Sequence, residues 1–285
     1  YLPQSFKKAM LAKGLESGPL CDQSFMRICL KGKFMAIAFL ASNSPEAQTA
    51  LAELTARYGQ VMPEDAKVIV ALGGDGFMLQ TLHDYVGYDA PVYGMNCGTI
   101  GFLMNSYGAD TLIERLDAAL VEVINPLSMC ATTLSGTVVT ELAINEVSIL
   151  RAGPQAAKLR VSVDGRERLA QLICDGALLA TPAGSTAYNY SAHGPILPIG
   201  SDVLALTAIA PFRPRRWRGA LLRKTSVVRF DVIDPEKRPV MADADSRSVR
   251  DVISVEVRSS SDVEYRILFD AGHSLEERML GEQFE

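Results

Sequence analysis

The sequence has little that would staple a fold or hold a metal. Five cysteines occur in 285 residues, at Cys21, Cys29, Cys97, Cys130 and Cys174. Their number is odd, their spacing is wide, and no C-x-x-C pair occurs. This excludes a disulfide framework or a zinc cluster and leads us to expect reduced thiols in the cytoplasm. The three histidines, His83, His193 and His273, lie in separate segments. There is no H-E-x-x-H signature, so no set of metal ligands is expected, and no G-x-S-x-G elbow for a serine nucleophile. No apolar run approaches the roughly 20 residues of a membrane span. The stretch YLPQSFKKAMLAKGLESGPL lacks the apolar core of a secretion signal, and residues 1–33 are assigned no role. Nor is there a basic excess. The formal net charge of −5 argues against a generic surface for nucleic acid or anionic membrane.

What is present is globular: 48% of residues are hydrophobic and 21% charged, enough for about two domains. From Phe34 strands and helices alternate. FMAIAFLAS reads as a strand, EAQTALAELTARYG as a helix ending at Gly59, and AKVIVAL as a buried strand. After the turn GGDG come a short helix, FMLQTLHDY, a third strand, PVYGM, and a helix over DTLIERLDAALVEV. This alternation predicts a parallel sheet covered by helices. Past Pro126 the pattern becomes β-rich, with Asp164-Gly165 in VDGR set up for a hairpin turn, and predicts antiparallel sheets stacked as a sandwich. The expected organisation is residues 1–33 as an extension, 34–126 as the α/β domain, 127–262 as the β-sandwich and 263–285 as a helical tail ending in HSLEERMLGEQF.

Several segments could carry chemistry. In VIVALGGDGFMLQTL the glycines would let backbone N–H groups approach a phosphate, and the following helix start favours anions. Asp75 is then an isolated carboxylate beside a phosphate site, suited to a base or a magnesium ligand. A capping aspartate in a tight turn explains it equally well. NCGTIGFLMN is a second glycine loop at a strand end and could build the facing wall. Asn145-Glu146 interrupts an apolar strand, either to reach a ligand or as an exposed edge pair. CDGALLATPAGSTAYNYSAHGPILP is the densest segment: small residues permit close approach, and Tyr188 and Tyr190 could stack on a ring. Arg213, Arg215, Arg216 and Arg218 surround the single tryptophan, as a phosphate clamp, a subunit contact or a solvated face.

Taken in order, GGDGF, NCGTIGFL, NEV and DGALLATPAGSTAYNYSAHGPILP resemble the NAD kinase family over residues 34 to 260, with APFRPRRWRG most similar to alphaproteobacterial members. The resemblance implies a Rossmann-like α/β domain, a β-sandwich, and ATP-dependent phosphorylation of the adenosine ribose 2′-hydroxyl of NAD, giving NADP. It implies magnesium or another divalent cation with ATP, and a homodimer or homotetramer. Asp75 matches the catalytic proton acceptor, with Gly74 and Gly76 in the phosphate turn and Phe102 near the adenine. Asn145, Glu146 and Asp175 match NAD-binding positions. Thr186, Ala187, Tyr188 and Ser191 match the loop and helix lining the dinucleotide, and Asn189 and Tyr190 fall in the same candidate set. Asp245 lies where many relatives have Asp-Gly-Gln, here Asp-Ser-Arg; Arg215 is a candidate phosphate contact. Phe77 and Phe212 stand where many relatives carry Thr or Asn, and His; their effect would fall on donor preference. The rival readings are a lipid kinase sharing GGDG and a silent NAD(P)-binding regulator.

Overall fold

The computed structural model describes residues 35–98, 101–272 and 278. The first half builds one sheet from β1 (Ile37–Ala41), β2 (Val68–Gly73), β3 (Val92–Asn96), β4 (Leu120–Ile124) and β17 (Tyr265–Phe269), in the order β1-β2-β3-β17-β4. The first three strands pair in parallel, because each crossover carries a helix: α1 (Pro45–Tyr58) and α2 (Asp75–Asp84). Local chemistry sets the limits of α1. The Ser44 side chain accepts from the Ala47 N–H, Pro45 opens the first turn, and Gly59 ends it at φ 81°. Every residue of β2 is buried, as its unbroken apolar run requires.

Two expectations for this half are corrected. The helix expected over Asp110–Val123 stops at Ala118 as α3 (Leu112–Ala118), and LVEVI continues as β4, antiparallel to β17. Ala119 is already extended, and the valines and isoleucine that follow suit a pleated edge. The tail expected to be helical from residue 263 instead supplies β17, which slots between β3 and β4. A short, mostly apolar stretch such as YRILF satisfies either period, and the open sheet edge decided the matter. HSLEERMLGEQF lies outside the described residues except for Arg278.

The second half is a sandwich of two six-stranded antiparallel sheets. One runs β12 (Gly219–Arg223), β11 (Val203–Ile209), β10 (Gly176–Ala180), β7 (Glu146–Arg151), β14 (Val240–Ala244), β15 (Arg247–Val249). The other runs β6 (Val138–Ala143), β5 (Leu127–Thr133), β16 (Val252–Ser259), β13 (Val228–Val232), β8 (Ala157–Val163), β9 (Arg166–Cys174). The β8–β9 turn is the expected hairpin, with Asp164 at φ 52° and Gly165 at φ 73°. Alternate residues of both sheets, among them Val147, Ile149, Leu179, Phe230 and Val255, form the buried interior.

The described residues from Ile37 onward form one compact unit. A second apolar cluster ties its halves together: Met78 and Leu82 of α2 and Leu103 and Met104 of the glycine loop pack with Ile144 and Ala183 of the β-rich half. This seam carries every glycine-rich motif singled out above.

Candidate active site

The site begins where β2 ends. Gly74 is extended and Asp75 opens α2. Asp75 Oδ2 accepts the Phe102 N–H at 2.8 Å and Oδ1 accepts the Leu103 N–H at 2.9 Å. The carboxylate lies where a side chain at position 101 would stand; a Cβ there would be 2.4 Å from Oδ1 and would push the carboxylate off its two N–H groups. The two glycine motifs therefore form one joined structure. Gly74 and Gly76 differ from Gly101. A Cβ at either would meet nothing within 4 Å, and neither has a positive φ. Packing does not demand glycine there, whereas close approach of a ligand would. Phe77 turns inward: its side chain covers Gly73, whose Cβ would lie 2.9 Å from that of Phe77, and packs on the seam cluster.

On the facing side Asp245 organises the Asn145–Glu146 turn. Its carboxylate accepts from the N–H groups of Ile144 (2.8 Å), Asn145 (2.9 Å) and Glu146 (3.3 Å), and from His83 Nε2 at 2.7 Å. The side chains of His83 and Asp245 are 5% and 4% exposed. Asp245 is thus committed to protein groups. It shapes the turn from behind. Asn189 is likewise held by protein groups. It is fully buried, donates to the carbonyls of Ser185 and Pro195, and accepts from Thr207 Oγ1 at 2.6 Å. It holds the loop in shape.

The PAGST loop is pressed onto the same turn. The Thr181 N–H donates to the Asn145 carbonyl, Thr181 Oγ1 donates to the Ile144 carbonyl at 2.7 Å, and a Cβ on Gly184 would be 2.2 Å from the Asn145 oxygen. Thr186 ends a short 3₁₀ turn, and Ala187 leads into α4 (Tyr188–Ser191). The Asn145 side chain makes no hydrogen bond among the described residues. Glu146 Oε2 is buried without a partner. Burial, and then the nearby Asp245 charge, push the Glu146 carboxyl up to about 8, while the Tyr188 N–H acts the other way. The Tyr188 phenol is also pushed up, by burial first and then by Glu146, Asp243 and Asp175. Tyr190 is 49% exposed and Ser191 is exposed.

Phe102, Asn145, Glu146, Thr186, Ala187 and Tyr188 therefore gather around the seam with Asp75. Asp175, within electrostatic reach of the Tyr188 phenol, and Arg215 stand apart from Asp75. Asp175 lies at the far end of β10, where Gly176 pairs with Leu150 while Ala180 pairs with Glu146. Its carboxylate takes Arg151 Nε at 2.6 Å. Arg215 sits with Arg213, Arg216 and Arg218 in the exposed β11–β12 connection, and none of the four forms an ion pair among the described residues. Reading motifs missed His83, Thr181, Asn105 and Arg278. His83 and Asp245 are 162 positions apart, so no local pattern announces them.

The architecture is an α/β sheet joined to a β-sandwich, with the glycine-rich loops gathered at the seam between them. Yeast NADH kinase, solved in complex with NADH, superposes with a TM-score of 0.77 at 19% identity, covering 89% of this chain and 88% of that one. An NAD kinase from Archaeoglobus fulgidus, solved in complex with ATP, gives 0.69 at 24%, covering 87% and 98%. At such identities the likeness is one of fold. Family models narrow it. The ATP-NAD kinase N-terminal domain matches residues 21–123 and the C-terminal domain residues 144–261. An NAD kinase of Cereibacter sphaeroides is 68% identical over 248 residues, 87% of this chain and 98% of that protein. The chain belongs to the NAD kinase family, the enzymes that phosphorylate NAD to NADP. Neither the lipid kinase nor the silent regulator finds support in these likenesses.

Proposed function

We propose that the chain transfers the γ-phosphoryl group of ATP to the 2′-hydroxyl of the adenosine ribose of NAD, with Asp75 accepting the hydroxyl proton. The O–H bond breaks toward Asp75, the new O–P bond forms on the ribose oxygen, and ADP leaves. The observation that carries this reading is the way Asp75 is held. Two N–H groups fix its orientation and use two of its roughly four acceptor positions, leaving the rest for a hydroxyl. Gly74 and Gly76 leave open space beside it for phosphate. Transfer of this kind depends chiefly on positioning and charge neutralisation. Among the described residues no three His, Cys, Asp or Glu side chains gather as a metal cage. A divalent cation would come with the nucleotide substrate, on the donor phosphates. No helix among the described residues is long and apolar enough to cross a membrane. Cys97, Cys130 and Cys174 are free thiols, in keeping with a cytoplasmic enzyme. The test is incubation with NAD, ATP and magnesium, read by an NADP-specific dehydrogenase; absence of NADP overturns the proposal.

Asn145 and Tyr188 are assigned to NAD. Asn145→Ala and Tyr188→Ala are each expected to raise the KM for NAD more than the KM for ATP. Equal rises in initial-rate titrations would show the two substrate positions to be interchanged.

Glu146 gives a pH signature. Its folded carboxyl titrates near 8 rather than at the usual 4.5, so it is protonated at neutral pH and ionises as pH rises through about 8. A neutral carboxyl can donate to one ribose oxygen and accept from another hydroxyl; the carboxylate only accepts. The KM for NAD should therefore change through pH 8 in the parent. Glu146→Gln, a mimic of the neutral form, should keep the neutral-pH KM within a few-fold and flatten that change. A profile identical to the parent's would remove Glu146 from the site.

A further inference from the structure

Arg278 is the described residue of the tail beyond Gly272, and it reaches back to the glycine loop. Its guanidinium donates through Nη1 to the carbonyl of Phe102 at 3.0 Å and to the carbonyl of Met104, and Nη2 approaches Asn105 Oδ1 at 3.5 Å. Its Cζ lies 5.4 Å from the Phe269 ring centroid, over the sheet. Asn105 is itself fully buried and donates to the carbonyls of Gly94 and Leu268, which fastens this end of the loop to β3 and β17.

The Phe102 carbonyl and the Leu103 N–H belong to one planar peptide unit. Arg278 holds the oxygen of that unit, and the N–H on its other side donates to Asp75 Oδ1 at 2.9 Å. A peptide gripped at both ends cannot rotate without breaking one hydrogen bond. A cationic donor on the carbonyl also polarises the unit and strengthens its N–H as a donor. Burial works against the charge on Arg278, while Asp270 and Asp75 both favour it, which places the guanidinium within electrostatic reach of Asp75.

We propose that Arg278 is a positioning residue for phosphoryl transfer, orienting Asp75 through the Phe102–Leu103 peptide unit. The inference rests on Asp75 being the proton acceptor. Arg278 touches neither substrate in this reading, so its removal acts chiefly on the chemical step, through the peptide unit that donates to Asp75.

Arg278→Met keeps an unbranched stem over Phe269 and deletes the donors; Arg278→Lys restores a charged donor for the same carbonyls. Steady-state NADP formation should show kcat of Arg278→Met lowered about tenfold, with the KM for NAD within about twofold of the parent. Arg278→Lys should recover to within about threefold of the parent. In an Asp75→Asn background, Arg278→Met should add less than about twofold, since the group it orients is gone. An unchanged kcat in Arg278→Met overturns the inference. So does a rise in KM with a lowered Tm that Arg278→Lys fails to repair, or a full second tenfold loss in the Asp75→Asn background. Near-normal turnover of Asp75→Asn alone overturns the base assignment and the inference with it. A slow Asp75→Asn beside a fast Arg278→Met overturns the inference only.

Discussion

Asp75→Asn is expected to lower NADP turnover at least about 10²-fold while NAD affinity stays within a few-fold, the usual scale for losing a positioned general base. The substitution is demanding because Asp75 has two tasks. It faces the ribose hydroxyl in the proposed reaction, and it accepts the N–H groups of Phe102 and Leu103. An asparagine keeps the shape but presents an NH₂ to one of those donors, so the loop loosens as the base is lost. The two effects separate by measurement. Loosening of the loop appears as a lower Tm and a modest kcat loss, whereas loss of the base survives when Tm is corrected for by assaying well below the transition. Turnover within about tenfold of the parent, with NAD binding intact by calorimetry, would reduce Asp75 to a loop anchor. That is the capping role the turn alone would allow.

The sequence made the repeating elements and the glycine loops visible because both leave local marks. Ser44, Pro45 and Gly59 delimit α1; Asp164-Gly165 turns the β8–β9 hairpin; the apolar run of β2 marks a fully buried strand. Long-range decisions leave no such mark. YRILF became β17 because β3 and β4 offered an edge between them, and Val121 and Val123 left the helical pattern to pair with the same strand. Asn189 sits among residues suited to a ligand, yet it turns inward because Thr207 and the Ser185 and Pro195 carbonyls are there to satisfy it. Asp245 was legible as a residue of this site, but the groups it holds were not. Its partners Ile144, Asn145 and Glu146 are about a hundred positions away, and only the fold shows that the carboxylate faces their N–H groups. Arg278 carried no pattern at all, since its role depends on the backbone carbonyls of a loop.

Asp245→Ala should cost about 3–5 kcal/mol of stability, because it leaves several buried donors without an acceptor at about 1–3 kcal/mol for each group left unsatisfied. Four donors converge on this carboxylate, and alanine leaves the three backbone N–H groups and His83 Nε2 without an acceptor in a site that water barely reaches. Alanine also occupies φ 51° less readily than aspartate. On the order of 10 °C in Tm is the corresponding shift. Asp245→Asn should lose much less. Its oxygen can serve the Asn145 and Glu146 N–H groups, and its amide can donate to His83 if the imidazole changes tautomer. Nε2 then accepts, and the Nδ1–H turns to the Tyr265 hydroxyl, 3.5 Å away. The functional consequence follows from what Asp245 supports. It holds the backbone of the Asn145–Glu146 turn, and His83 on α2 joins that turn to the helix that begins at Asp75. The KM for NAD should therefore rise in Asp245→Ala, assayed well below its transition, and rise less in Asp245→Asn. Melting by circular dichroism and NAD titration of the two variants decide it. An alanine variant as stable as the parent would mean that the four donors find other acceptors, and one that keeps the parental KM would mean that the turn holds its shape without the clamp.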